Sequence, residues 1–290
     1  MRPRPSLKYR AISFFDQLTG SPSERLGAER ARRAMQRSLS GPAFVLGQRA
    51  ELASVTDEVV AGVKVRRYVP NGASVGTLVY FHGGGWVLGD VDSHDVLASH
   101  FAARCAREVV SVDYRLAPEH RYPAAFDDCV AVTKALSQQR RVVVAGDSAG
   151  GQLAASVAQV VDVAAQVLLY PVTDCLEATP SYEAFGRGLI LNASTMRWFR
   201  DSYVEGAAQR AEPGCSPLRA SSLGHVARAY VVLAQCDVLH DEGLAYANKL
   251  QAAGVDVRVD EVPGTVHGFM SLFGLAEPRE ALVRIAAWLG

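Results

Sequence analysis

The residues Gly146-Asp147-Ser148-Ala149-Gly150 follow the apolar run Val142-Val143-Val144-Ala145 and precede Gln152-Leu153-Ala154-Ala155-Ser156-Val157. Strand, tight turn and helix in that order would lift the Ser148 hydroxyl clear of the backbone, where a base can reach it. Gly146 and Gly150 lack the Cβ atoms that would clash as strand and helix close on each other. A serine hydroxyl is a weak nucleophile at neutral pH and needs a base, with a third group to orient that base. Both come later in the chain. Residues 230–237 read as a strand ending on the carboxylate Asp237, and 255–262 as a strand whose following loop carries His267. A helix between them returns the chain to the same end of the sheet, so the two side chains can meet. The chemistry of such a set is attack on an acyl carbonyl through an acyl-enzyme.

Asp241 and Glu242 rival Asp237, but they stand where the next helix should begin, and their ordinary role there is to stabilise its N-terminus. Asp147 should point away from the site if Ser148 points in, as a structural turn residue. Among seven histidines His82 is the main competitor of His267, while His94, His100, His120, His225 and His240 read as surface or packing residues. Attack on a carbonyl creates an oxyanion that needs preorganised donors. The stretch Phe81-His82-Gly83-Gly84-Gly85-Trp86 leaves an apolar strand, and its glycines let the backbone turn amides toward one point. The N–H of Ala149, the residue after the nucleophile, would complete the hole.

The remaining elements must hold these groups. Residues 63–69 alternate in polarity and suit a half-exposed strand, and 77–81 suit a strand covered on both faces. Helices over 93–104, 124–138, 241–253 and 280–289 alternate with strands over 109–113, 165–171 and 229–234. This alternation predicts an α/β fold with a mostly parallel sheet flanked by helices. Two stretches break the rhythm. Residues 1–50 are arginine-rich and helical in pattern, and 172–226 hold short apolar-aromatic helical pieces that suggest a cap inserted into a domain spanning 51–290. The walls of a substrate pocket would then be Trp86, Phe185, Leu189, Met196, Trp198 and Phe199, each of which has the pattern of a core residue as well.

Thirty basic residues balance thirty acidic ones, so no net field recruits nucleic acid or an anionic membrane. No apolar run is long enough to span a bilayer. The basic start, Met1-Arg2-Pro3-Arg4-Pro5, is followed by no apolar segment and reads as no secretory signal. Five scattered cysteines form no C-x-x-C pair, which argues for free thiols in a reducing cytoplasm and against a structural zinc. No histidine pair has metal-ligand spacing with a supporting carboxylate, so no metal or cofactor is expected.

With these motifs in place the chain resembles the hormone-sensitive-lipase-like (bacterial family IV) esterases of the α/β-hydrolase superfamily. Residues 113–125, Cys215-Ser216-Pro217-Leu218 and Asp237-Val238-Leu239-His240-Asp241-Glu242-Gly243 add to the likeness, which runs from about residue 77 to 270. The resemblance implies an α/β-hydrolase fold with a helical cap and a cofactor-independent carboxylesterase acting on small-molecule esters with short acyl chains. It implies Ser148 as nucleophile, His267 as base, Asp237 as orienting acid, and Gly84, Gly85 and Ala149 as oxyanion donors. Residues 114–125 would brace the site through ion pairs. Val238 departs from the proline common at that position, and residues 223–229 lack the usual proline pair. An acyltransferase or amidase with the same triad fits the residues too. Plant gibberellin receptors of the same family bind without turnover, having lost the histidine that this chain keeps as His267. The oligomeric state stays open, with a homodimer as one option.

Overall fold

The computed structural model describes residues 3–19, 23–38, 41–138, 141–176 and 178–290, so the Met1-Arg2 start lies outside the described residues. Four helices open the chain: α1 (Leu7–Thr19), α2 (Ser23–Leu26), α3 (Ala28–Ser38) and α4 (Ala43–Leu46). The strands β1 (Ser54–Val60), β2 (Val63–Val69) and β3 (Thr77–Phe81) follow, then α5 (Asp95–Cys105), β4 (Glu108–Val112), α6 (Ala124–Leu136), β5 (Val143–Asp147), α7 (Ala149–Val157) and β6 (Ala165–Leu169). Three short helices, α8 (Pro180–Phe185), α9 (Ala193–Tyr203) and α10 (Ala207–Ala211), interrupt the alternation. It resumes with β7 (Ala229–Cys236), α11 (His240–Ala252), β8 (Val257–Val266) and α12 (Ala276–Leu289).

The strands form one sheet of eight in the order β1-β2-β4-β3-β5-β6-β7-β8. From β4 to β8 every neighbour is parallel, and β1 and β2 add an antiparallel edge. Parallel strands joined by helices must be covered on both faces, and the side chains divide accordingly. Val79, Phe81, Val144, Leu168 and Val231 pack on one face, while Leu78, Tyr80, Val143, Val167 and Val232 pack on the other. Consecutive strand residues thus enter opposite cores. The parallel strands also share an edge where all their carboxyl ends emerge, and β3, β5, β7 and β8 deliver the site loops there.

Two departures from the sequence pattern have local causes. Strand β1 was not evident because its burial is weak along its length. It exists through a two-residue hairpin, in which Ala61 (φ 52°) and Gly62 (φ 84°) pair Val60 with Val63. Strand β8 runs four residues beyond the expected 255–262, through Pro263 and Gly264. It lies at the outer edge of the sheet, where a missing proline N–H costs no ladder bond.

Arg32 on α3 fastens the N-terminal helices to the α/β body. Arg32 donates from Nε to the Val87 carbonyl (2.8 Å) and from Nη2 to the Ala117 carbonyl (2.7 Å), and it pairs with Glu119. Glu24 accepts the hydroxyls of Ser194 (2.8 Å) and Thr195 (3.0 Å), which joins α2 to α9. Among the described residues no helix is long and apolar enough to cross a membrane.

Candidate active site

Ser148 sits at φ 55°, ψ −118°, a region that non-glycine residues seldom adopt, and this strain lifts its side chain off the end of β5. The turn closes only because nothing occupies its flanks. A Cβ on Gly150 would collide with the carbonyls of Phe81 and His82, and one on Gly146 with that of Gly150. Backbone bonds hold the serine from both sides, its N–H to the Leu169 carbonyl (2.9 Å) and its carbonyl from Val172 N (3.1 Å).

His267 follows the last residue of β8 and brings Nε2 to 3.0 Å from Ser148 Oγ. Its other nitrogen, Nδ1, lies 2.7 Å from Asp237 Oδ2. Asp237 is 1% exposed, and its second oxygen accepts Leu239 N at 3.0 Å, so both carboxylate oxygens are engaged. Tyr170 meets the His267 ring edge-on at 4.8 Å between centroids. The structure brings Ser148, His267 and Asp237 into one hydrogen-bonded line from strands β5, β8 and β7.

The rival acids have other partners. Asp241 Oδ2 accepts Ser181 N (2.9 Å), and Glu242, fully buried, accepts Thr173 N (2.9 Å). Burial lifts Glu242 to a pKa of about 7, with Arg200 beside it pulling the other way. Each carboxylate ties an adjoining segment to α11, which goes beyond the helix-end role expected of them. His82 does not approach Ser148: its ring stacks on Tyr114 at 4.2 Å and Nδ1 donates to the Gly83 carbonyl at 2.8 Å. Burial first, and the neighbouring His94 second, depress its pKa to about 4, so it is neutral at physiological pH.

The loop after β3 places Gly84 (φ 116°) and Gly85 (φ 61°) in conformations that favour glycine, and the Phe199 ring lies where a Gly85 side chain would go. Among the described residues no hydrogen bond claims the N–H of Gly84 or Gly85. Ala149 N is likewise free of one, as the first N–H of α7. These three amides are unsatisfied donors on the two loops nearest the serine.

Asp147 does point away from the site, and it anchors the glycine loop. Its Oδ1 accepts Gly83 N (2.9 Å) and the Tyr80 hydroxyl (2.7 Å), and Oδ2 lies 3.3 Å from His94 Nε2. Burial opposes charge on both partners, but their mutual attraction prevails: His94 is raised and Asp147 lowered from their ordinary values. The sequence assigned His94 no role beyond surface or packing. It lies 53 residues from Asp147, a separation at which no periodicity or motif signals a pair.

The pocket residues divide. Phe199, 6% exposed, covers the glycine loop, with Trp198 against it at 5.0 Å, while Phe185 and Leu189 are half-buried. Trp86 is corrected as a wall: it has no exposed surface, stacks on Tyr203 at 4.4 Å and donates Nε1 to Gln152 Oε1 at 2.9 Å. Its aromatic ring belongs to the core behind the loop. Met196, 1% exposed, is also a core residue. Residues 113–125 carry ion pairs, Arg115 gripping Asp128 (2.7 Å) and Glu119 meeting Arg32 (2.7 Å). No group of three or more His, Cys, Asp or Glu able to hold a metal ion occurs among the described residues.

A family profile described as the α/β-hydrolase fold matches residues 78–271. An ethyl acetate hydrolase of Pseudomonas putida is 37% identical over 289 residues, covering 91% of this chain and 90% of its own. Carboxylesterase NlhH of Mycobacterium tuberculosis is 35% identical over 274 residues, 88% of this chain and 86% of that one. A hyperthermophilic esterase from the archaeon Pyrobaculum calidifontis superposes with a TM-score of 0.93 at 31% identity, covering 99% of this chain and 98% of its own. A profile match over residues 78–271 and relatives matched over nearly the whole chain leave one assignment: the chain belongs to the α/β-hydrolase family, in its hormone-sensitive-lipase-like branch.

Proposed function

We propose that this protein is a cofactor-independent serine carboxylesterase that hydrolyses short-chain acyl esters of small molecules. The observation that carries the proposal is the unbroken line Ser148 Oγ, His267 Nε2, His267 Nδ1, Asp237, with separations of 3.0 and 2.7 Å. Ser148 Oγ attacks the ester carbonyl carbon as its proton passes to His267 Nε2. The imidazolium is stabilised by Asp237, which keeps Nδ1 protonated and the ring in register. Negative charge gathering on the carbonyl oxygen is met by the free amides of Gly84, Gly85 and Ala149. His267 then returns its proton to the departing alcohol, and water repeats the sequence on the acyl-enzyme. Every one of these groups comes from a single chain, so the reaction needs no second copy.

Named relatives include an ethyl acetate hydrolase, and here Phe199 closes over Gly85, which favours a small acyl group. The N-terminal helices and residues 172–226 act together as a cap, which accounts for the Glu24 bridge to α9. We place the protein in the cytoplasm on its five buried, unpaired thiols. The test is hydrolysis of a p-nitrophenyl ester series from acetyl to palmitoyl. Turnover should be highest at the short end, and Ser148→Ala should lower kcat by about six orders of magnitude. Near-native turnover by that variant would overturn the mechanism, and activity confined to long chains would overturn the substrate class.

A further inference from the structure

Helices α8 and α9 and the chain leaving β6 line a half-open pocket of about 730 Å³ that Ser148, His267 and Asp237 do not line. Its wall contains Arg187, Arg197, Arg200 and Arg210 against two described carboxylates, Glu183 and Asp201. Arg210 pairs with Asp201 at 2.6 Å. Arg187 and Arg197 make no ion pair or hydrogen bond among the described residues. Two of the four arginines, Arg187 and Arg197, thus face the hollow without a counter-charge among the described residues, while Arg210 is paired with Asp201 and Arg200 lies 3.4 Å from Glu242.

Arg200 supplies an independent sign of a ligand. It is 7% exposed and rigidly held, with Nη2 donating to the Asp174 carbonyl (2.9 Å) and the Tyr182 hydroxyl, and the Tyr182 ring 5.1 Å from the guanidinium. Its Nε is buried with no acceptor, and Nη1 makes no hydrogen bond among the described residues. Glu242, 3.4 Å from Nη2, is shared with the backbone of Thr173 and Asp174. Of Nε and Nη1 only Nη1 keeps accessible surface, and it is the donor that a ligand in the pocket would meet. Guanidinium forks match the paired oxygens of carboxylate and phosphate. The volume falls within the range of small-molecule sites.

We propose that this pocket is a second binding site, for a small multiply charged oxyanion of the polycarboxylate or phosphate class, distinct from the ester site. Arg200 forms its floor, and Arg187 and Arg197 supply the charges at its mouth. The anion held there touches α8 and α9, and α9 also carries Phe199 over Gly85 at the ester site. The polycarboxylate and the phosphate share one chemistry, and separate titrations distinguish them.

Citrate and inorganic phosphate are each titrated into the full chain at low ionic strength by calorimetry, with sodium chloride of matched ionic strength as the control. At least one should bind saturably, and the melting temperature should climb with the logarithm of its concentration. Arg187→Ala/Arg197→Ala, at two exposed positions, should bind about tenfold more weakly or worse while melting normally without the anion. Ser148→Ala should bind unchanged, which separates this outcome from the fate of the esterase reading. The proposal is overturned if neither anion binds beyond the chloride control. It is equally overturned if the double variant binds as well as wild type, or if the anion competes with the ester.

Discussion

Asp237 and Asp241 lie four residues apart at the start of one loop and helix, yet only Asp237 touches His267. Asp237→Asn would leave the ring without an acceptor for its Nδ1 proton and stabilise the wrong tautomer, so kcat should fall by about four orders of magnitude. Asp241→Asn removes a charge that faces Ser181 N and His240, and kcat/KM for p-nitrophenyl acetate should change by no more than about threefold. The opposite ranking would move the acid to Asp241. Asp147 acts through a different loop. Asp147→Ala would orphan Gly83 N, the Tyr80 hydroxyl and buried His94 together, with an expected loss of about 3 kcal/mol in urea denaturation. Because Gly83 adjoins the oxyanion donors, kcat should suffer more than KM. An unchanged kcat with lowered stability would confine Asp147 to folding.

Between β7 and β8 the loops carrying Asp237 and His267 are held in register by a cross-strand clamp. His240, at the start of α11, lies 3.0 Å from Asp241 through Nδ1 and 2.8 Å from Glu261 on β8 through Nε2. Gln235 on β7 completes it, donating to Glu261 (3.0 Å) and accepting Gly264 N (3.0 Å). Burial opposes the charge on His240, but the two carboxylates outweigh it and raise its pKa above the ordinary histidine value. A raised folded pKa means the stabilisation is complete below the unfolded pKa and disappears as pH rises through the folded one. The melting-temperature gap between wild type and His240→Gln should therefore be widest near about pH 6 and narrow toward about pH 9. A gap independent of pH would show that His240 contributes packing alone.

At the scale of the whole molecule, both faces of the sheet are closed and every cysteine lies inside. Burial pushes the thiol of Cys105 up to about 12 and that of Cys236 up to about 11, and it raises Cys129 as well. A disulfide reagent such as Ellman's should find no reactive thiol in the folded protein and five after unfolding in guanidine. Fast modification of the folded protein would mean that the two layers open locally.

Much of this was legible in the sequence because it depends on local rules. A buried strand running into Gly-x-Ser-x-Gly and then a helix needs only steric exclusion at Gly146 and Gly150 to define a turn with an exposed serine. The order of Ser148, Asp237 and His267, each at a strand end, follows from βα alternation, since parallel strands must release their carboxyl ends on one edge. Long-range choices were not legible. Whether Trp86 faces a pocket or a core, and how His94 finds Asp147, depend on helix rotation and loop path. Those are decided by packing between residues far apart in the chain, for which no short-range periodicity exists. The arginine-lined pocket belongs to the same class. Its residues look like ordinary surface charge until α8 and α9 fold over the chain leaving β6 and place them around one hollow.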